Sequence, residues 1–259
     1  MTRSAAGTKA DISSQQMKKT SEKDEGIQVN KYISNSGFCS RREADKLIEQ
    51  LRVTINDELV LPTARVMEGD VVAIDGERIK NKQRPIYIAL NKPVGVTSTT
   101  DMSDKTNIIR FMNHPKRIFP VGRLDKDSEG LILLTNDGDI VNKILRAGNN
   151  NEKEYIVTVD KELTPEMIRS MAAGVRILGE KTKPCFVRME GSRRFRIILK
   201  QGLNRQIRRM CETFGYKVKT LKRIRIMHIQ LGNLAVGKWR YLTPAEMDLL
   251  EKQLTNASK

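Results

Sequence analysis

The amino-acid sequence predicts an α+β fold: a small N-terminal domain, then a larger one with a mostly antiparallel mixed sheet flanked by helices. Three observations carry this. A chain of 259 residues is long enough for one sizeable core and a satellite. Short runs rich in Val and Ile alternate with stripes of helical period along most of it, as strands with interspersed helices do. No Gly-rich turn joins a strand to a helix, so a parallel nucleotide-binding sheet is not expected.

Charge narrows the class of partner. Lys and Arg total 47 against 31 Asp and Glu, a net +16, which points to a phosphate-rich partner. A membrane is the competing polyanion, but no stretch approaches the ~18 continuous apolar residues of a spanning helix. The N-terminal residues also lack an apolar signal core, so no membrane contact is expected and the cytoplasm is the expected compartment. Cys39, Cys185 and Cys211 lie far apart and fit neither a disulfide framework nor a zinc module. With His114 and His228 the only histidines, no metal site is expected.

Residues 1–26 mix Ser, Thr, Gln, Lys and Asp with few large apolar side chains, which predicts a disordered tail, either a solubilising leader or a further contact to the partner. A first domain is expected over 27–75. Ser40-Arg41-Arg42-Glu43 has the spacing of a capping box, so a helix begins there. Ala44, Leu47, Ile48 and Leu51 form its apolar stripe, leaving Arg41, Arg42 and Lys46 for solvent or ligand. Strands are expected over 52–56 and 70–74. The polar stretch 76–84 reads as a linker.

The second domain is expected over 85–251. A strand over 86–90 runs into the turn Asn91-Lys92-Pro93-Val94-Gly95, and a buried strand is expected over 131–135. Ile140, Val141, Ile144 and Leu145 make a helical stripe ending at Gly148, followed by a strand over 155–159. Thr164-Pro165-Glu166 opens a helix with an N-cap and a first-turn proline. Residues 194–200 alternate in a strand period. A helix over 204–214 turns Ile207, Met210, Cys211 and Phe214 to one side and stops at Gly215. Residues 220–231 predict one long strand, and Thr243-Pro244-Ala245-Glu246 starts a final helix, with a short tail over 252–259.

Two stretches stand out chemically. Arg205, Arg208, Arg209, Lys217, Lys219, Lys222, Arg223 and Arg225 are opposed only by Glu212, a one-sided run suited to phosphate and bidentate ion pairs. Aromatic residues make up only 5%, so recognition of folded RNA by shape fits better than stacking on single strands. The second stretch, 122–131, clusters Asp125, Asp127 and Glu129 in a chain built to attract polyanions. Acids beside such a ligand serve ion pairing or chemistry, and Asp125 is the candidate for chemistry.

Residues 27–75 resemble the small S-four-like RNA-binding domain, in which a basic helix pair docks on folded RNA. The matching residues are Asn30-Lys31-Tyr32-Ile33, Gly37, Ser40-Arg41-Arg42-Glu43-Ala44, Ile48, Val53 and Gly69-Asp70. The resemblance implies RNA contacts by Lys31, Ser40, Arg41, Arg42 and Lys46. Where such domains usually carry Gly after the helix and in the next turn, this chain has Leu51 and Asp57, which predicts an altered or strained turn.

Leu90-Asn91-Lys92-Pro93, then Gly122-Arg123-Leu124-Asp125 with Ser128 and Gly130-Leu131, then Lys153-Glu154-Tyr155, then 202–210 resemble the RNA pseudouridine synthases. The likeness is greatest to the branch with an N-terminal S-four-like domain that modifies ribosomal RNA, and it covers 27–251. It implies isomerisation of uridine to pseudouridine in a folded stem-loop, with large-subunit rRNA as the expected partner and small-subunit rRNA as the alternative. No atom is added or lost in that reaction, so no cofactor is expected.

The resemblance makes Asp125 the reacting carboxylate. It implies a nucleophile or stabiliser at C1′, by the logic of glycosidases, or a base that takes a sugar proton to give a glycal; the residues leave both open. Arg208 is implied as the opposed cation, in a bidentate pair. Tyr155 would stack on the target base and help remove its C5 proton. Arg123 would hold the flipped-out nucleotide, and Ile207 would pack beneath the site or only in the helix core. Arg205, Arg209 and Lys92 are expected on the RNA, Lys92 alternatively over the sheet edge. Asp127, Glu129 and Ser128 are expected in ion pairs or turn caps. Two competing readings are a non-catalytic rRNA-binding protein, disfavoured by the Asp125, Tyr155 and Arg208 set, and a methyltransferase, disfavoured by the missing Gly-rich turn. Nothing in the sequence demands more than a monomer.

Overall fold

The computed structural model describes residues 26–79, 83–145 and 151–256. The expected N-terminal tail lies outside these residues except for Gly26. The chain divides into two compact units, one ending at Arg84 and the other beginning at Pro85.

In the N-terminal unit β1 (Ile27–Gln28) leads into α1 (Val29–Asn35) and α2 (Arg41–Glu49). Then come β2 (Val53–Ile55), β3 (Glu58–Leu59), β4 (Arg65–Val66), β5 (Val72–Ile74) and β6 (Glu77–Arg78). Antiparallel strands in the order β3-β2-β5-β6 form one sheet, and β1 pairs with β4. The capping box is present: Ser40 Oγ accepts from the Glu43 amide at 3.2 Å, and Glu43 Oε2 accepts from the Ser40 amide at 2.7 Å. Val29, Ile33, Ala44, Ile48, Val53 and Ile74 share one core.

Leu51 departs from its expected place on the core stripe. It is exposed, with φ 58°, because α2 has ended at Glu49. The Leu51 amide donates to Ile48 O and the Arg52 amide to Leu47 O, a Schellman closure with Leu where Gly is usual. Asn56 and Asp57, φ 53° and 69°, form the two-residue turn between β2 and β3. Both usual-glycine positions therefore hold left-handed backbone under a side chain, at roughly 1 kcal/mol each. The stretch expected as a linker contains β6. Asp75-Gly76, both at positive φ, closes a tight β5–β6 hairpin, and that Asp-Gly pair was a readable signal.

The second unit is built on a nine-stranded sheet. Its strands are β7 (Tyr87–Lys92), β8 (Phe119–Val121), β9 (Glu129–Thr135), β10 (Lys153–Val159), β13 (Phe186–Gly191), β14 (Arg194–Leu199), β15 (Val218–Ile226), β16 (Ile229–Gln230) and β17 (Trp239–Tyr241). A small hairpin, β11 (Arg176–Ile177) with β12 (Glu180–Lys181), stands apart. The order is β13-β14-β10-β15-β9-β7-β17, with β16 on β15 and β8 on β9; every pairing is antiparallel except β9 with β15. Helices α3 (Ile108–Met112), α4 (Gly138–Leu145), α5 (Pro165–Ala172), α6 (Gln206–Thr213) and α7 (Pro244–Asn256) flank it.

Two cores result, because strands apolar at every position supply both faces. Ile88, Leu90, Ile132 and Leu134 pack with Ile108, Met167 and Met210, while Ala89, Leu131 and Leu133 pack with Ile140, Ile144 and Leu250. The long strand expected over 220–231 is broken at Met227, φ 52°, which lets Ile229 fold back opposite Ile226. The last helix runs beyond 251, because Leu250 and Leu254, one turn apart, are both buried; residues 252–256 are thus helix rather than tail. The rest of that expected tail lies outside the described residues. Among the described residues no helix is long and apolar enough to cross a membrane.

Candidate active site

The loop between β8 and β9 carries Asp125, and its backbone is held almost residue by residue. Ser98 Oγ donates to Leu124 O at 2.9 Å and accepts from the Leu124 amide at 3.2 Å. The Gly95 amide donates to Lys126 O at 2.7 Å, and the Ser128 amide closes a turn on Asp125 O at 3.0 Å. Two buried arginines complete the frame. Arg208 Nη2 donates to Asp127 O at 2.9 Å and to Ser128 Oγ at 3.1 Å. Arg223 Nε donates to Leu131 O at 2.6 Å, and its Nη1 to Arg123 O at 3.4 Å. Gly130 permits this approach: a Cβ there would lie 2.3 Å from Arg223 O.

The Asp125 carboxylate emerges from this frame at the wall between two cavities, of about 660 and 570 Å³. Arg205 Nη1 lies 3.6 Å from its Oδ2 and Arg208 Nε 3.9 Å. The expected bidentate pair is therefore not formed. Arg208 Nη2 is committed to the loop and to Asp127 Oδ2, 3.3 Å away, and its Nε, buried without a hydrogen-bond partner among the described residues, is the part of Arg208 that faces Asp125. Asp127 is grasped by both terminal nitrogens of Arg205, at 3.3 and 3.2 Å. Burial opposes its ionisation, but the Arg205 hydrogen bonds and the charges of Arg208 and Arg205 outweigh this and hold its carboxyl below the usual range. Glu129 pairs with Lys222 at 3.4 Å.

Tyr155 lines the larger cavity from β10. A register shift between Glu154 and Tyr155 in the pairing with β15 marks a bulge beside the site. Tyr155 shares its face with Val157 and Val159, whereas Glu154 points to the other and is held by Arg196 and by Arg225 at 2.5 Å. Opposed cations keep Glu154 ionised despite the cost of burial. Ile207 is buried in the core cluster that includes Tyr155 and also lines the cavity with Leu203 and Leu221.

Other expected contacts fall less centrally. Arg123 is exposed on the wall between the cavities, its guanidinium without a partner among the described residues. Arg209 folds back on Asn204, at 3.1 and 3.2 Å. Lys92 is corrected: it has no exposed surface, and its Nζ donates at 2.9 Å to the carbonyls of both Pro93 and Val96, so it braces the neighbouring loop instead of meeting RNA. Burial lowers its pKa to about 8, against the opposing charge of Asp127. Lys31, Ser40, Arg41, Arg42 and Lys46 belong to the N-terminal unit. Arg41, Arg42 and Lys46 are exposed on α2, and the Ser40 hydroxyl is engaged in its cap. Among the described residues no three His, Cys, Asp or Glu side chains gather to hold a metal ion.

The sequence profile described as "RNA pseudouridylate synthase" matches residues 86–213, and that of the S4 domain matches 29–72. The dual-specificity RNA pseudouridine synthase RluF of Escherichia coli K12 is 56% identical over 91% of this chain and 82% of its own length. The chain belongs to the RNA pseudouridine synthase family. Within it, the synthase is 34% identical to the ribosomal large subunit pseudouridine synthase B of Bacillus subtilis, over 86% of this chain and 94% of that one. A crystal structure of a pseudouridylate synthase superposes with a TM-score of 0.65 at 29% identity, covering 87% of this chain and all of that one. The identity with RluF agrees with a resemblance to that synthase visible in Leu124-Asp125-Lys126-Asp127-Ser128, in 141–149 and in 202–211. Ser98 and Arg223 are members of the synthase's loop frame that no motif marks, and Arg223 sits inside a basic run. Its signal was Gly130 at the head of a strand, which marks close approach of another backbone.

Proposed function

We propose that this RNA pseudouridine synthase isomerises uridine in large-subunit ribosomal RNA, as a cytoplasmic monomer, with Asp125 as the reacting carboxylate. One observation carries the assignment of Asp125. Of the three acids in its loop, Asp127 is clamped by Arg205 and Glu129 is paired with Lys222, while Asp125 stands at the wall of both cavities with cations 3.6 and 3.9 Å away. Cations lie beside it, and among the described residues no hydrogen-bond donor holds it in a way that would block attack.

A uridine drawn out of its stack would lie with its base against Tyr155, Ile207 and Leu203 and its C1′ at Asp125. The C1′–N1 bond breaks as the carboxylate attacks C1′ or takes the C2′ proton; the base turns, C5 bonds to C1′ as the carboxylate departs or returns its proton to C2′, and the C5 proton passes to solvent with help from Tyr155 while N1 takes one up. Atoms balance without an outside reactant. The apolar wall lets the freed uracil turn without forming new polar contacts, and Arg208 steadies the carboxylate when it is released. The name of the B. subtilis relative supports the large subunit, and the dual specificity of the E. coli relative supports a second RNA substrate.

Release of tritium from rRNA labelled at uridine C5 tests this, with no cofactor or metal added. The intact protein is expected to release tritium and Asp125→Asn to release none while still binding RNA. Equal loss of binding and release in that variant, or no release from any RNA by the intact protein, would overturn the assignment.

A further inference from the structure

Few aromatic residues are present, yet several meet at one exposed place. Trp239, the only tryptophan, and Tyr241 lie on β17 at 39% and 54% exposure, with ring centroids 5.3 Å apart. His114 sits edge-on to both, at 5.7 and 6.4 Å, and its Nε2 is 3.3 Å from the Tyr241 hydroxyl. Phe111, 40% exposed, borders them: a Cβ on Gly237 would lie 3.6 Å from its ring. This is not core that happens to be uncovered. Trp239 and Tyr241 stand on the last strand of the sheet, β17, whose free edge faces no other strand among the described residues.

The surroundings are basic. Between residues 105 and 119, and between 232 and 241, there is no Asp or Glu, while Lys116 and Lys238 are exposed. Arg240, by contrast, is occupied by Glu246 at 2.7 Å through both terminal nitrogens. Flat rings flanked by unpaired cations suit nucleobases joined by phosphates and fit poorly with an apolar protein face. β17 also lies near β9, the strand that follows the Asp125 loop. Trp239 is opposite Leu90 on β7, and Gly130, at the end of the Asp125 loop, is opposite Lys92 on the same strand. That is a lateral separation of about 10 Å, two strand spacings.

We propose that Trp239, Tyr241 and His114, with Lys116 and Lys238, form a stacking platform for unpaired nucleotides next to the target uridine. The proposal rests on the rRNA reading above and adds a second, single-stranded contact to it. Because Trp239 is the sole tryptophan, its emission reports occupancy directly. The intact protein is titrated with oligoadenylate and, separately, with a blunt RNA duplex. Oligoadenylate is expected to quench the emission saturably and the duplex to leave it unchanged. In fluorescence anisotropy with labelled oligoadenylate, Trp239→Ala is expected to weaken binding about ten-fold, Tyr241→Ala similarly, and Trp239→Phe far less, since a ring is kept. Circular dichroism of the alanine variants checks folding, and the quenching of the intact protein stands whatever they do. Equal quenching by duplex, or none by oligoadenylate while tritium release from rRNA proceeds, overturns the platform and leaves this face to a protein neighbour. Absent tritium release would instead strike the rRNA reading.

Discussion

Arg223 is 3% exposed, and the two carbonyls it holds, Arg123 and Leu131, bracket the loop that carries Asp125. Lysine offers one point of charge where arginine offers a planar fork, so Arg223→Lys is expected to keep the charge and lose the span. A carboxylate displaced by a fraction of an ångström should lower kcat by about ten- to a hundred-fold. KM should change little, since Arg223 presents almost no surface to RNA. Tritium release at saturating and limiting rRNA separates the two, and a pure KM effect would make Arg223 an RNA contact instead. Asp125 and Arg208 are marked in the sequence because each sits in a motif of fixed spacing, although the bidentate pair expected between them is not formed. The burial of Arg223 and Lys92 is less legible because it is set by distant strands: in one dimension a buried cation reads like an exposed one.

Among the elements, α7 illustrates a latch that can be tested by pH. Thr243 and Glu246 form a reciprocal cap, with Glu246 Oε2 accepting from the Thr243 amide at 2.9 Å and Thr243 Oγ1 accepting from the Glu246 amide at 3.2 Å. Arg240 adds a bidentate pair, and chiefly through it the Glu246 pKa falls to about 2. Folded below its unfolded value of about 4.5, this carboxylate contributes stability that is complete above that value and fades as pH falls toward about 2. Glu246→Gln is therefore expected to cost about 1 kcal/mol at neutral pH and to match the parent near pH 2, measured by urea unfolding across that range. A loss independent of pH would assign the effect to packing. The elements legible from sequence were those with paired signals, a cap at one end and a stripe within, as in α2 and α5. The β15–β16 fold-back was missed because Met227 occupies a left-handed turn with no residue type that announces one. Leu51 hid the end of α2 in the same way.

At the scale of the whole molecule, the two units have separate cores and separate sheets. A fragment beginning at Pro85 is expected to unfold in one cooperative step and to retain slow tritium release. Its KM for rRNA should rise on the order of a hundred-fold, since one of two tethered contacts has gone. Its affinity should also depend less steeply on salt, by the cations of α2 removed with the N-terminal unit. An unfolded fragment would show that the second unit needs the first. The overall division was legible because composition changes sharply near Pro85, whereas the strand order was not, since pairing between distant strands leaves no local trace.

That strand order also bears on when the enzyme becomes able to act. The Asp125 loop is framed by β15, whose Arg223 reaches Leu131 across 92 positions of chain. Contacts so remote form late, because a long loop must close before they give any return. As the protein is made, the Asp125 carboxylate leaves the ribosome well before the strand that aims it. A nascent chain interrupted before residue 226 is expected to carry the whole Asp125 loop and yet be silent.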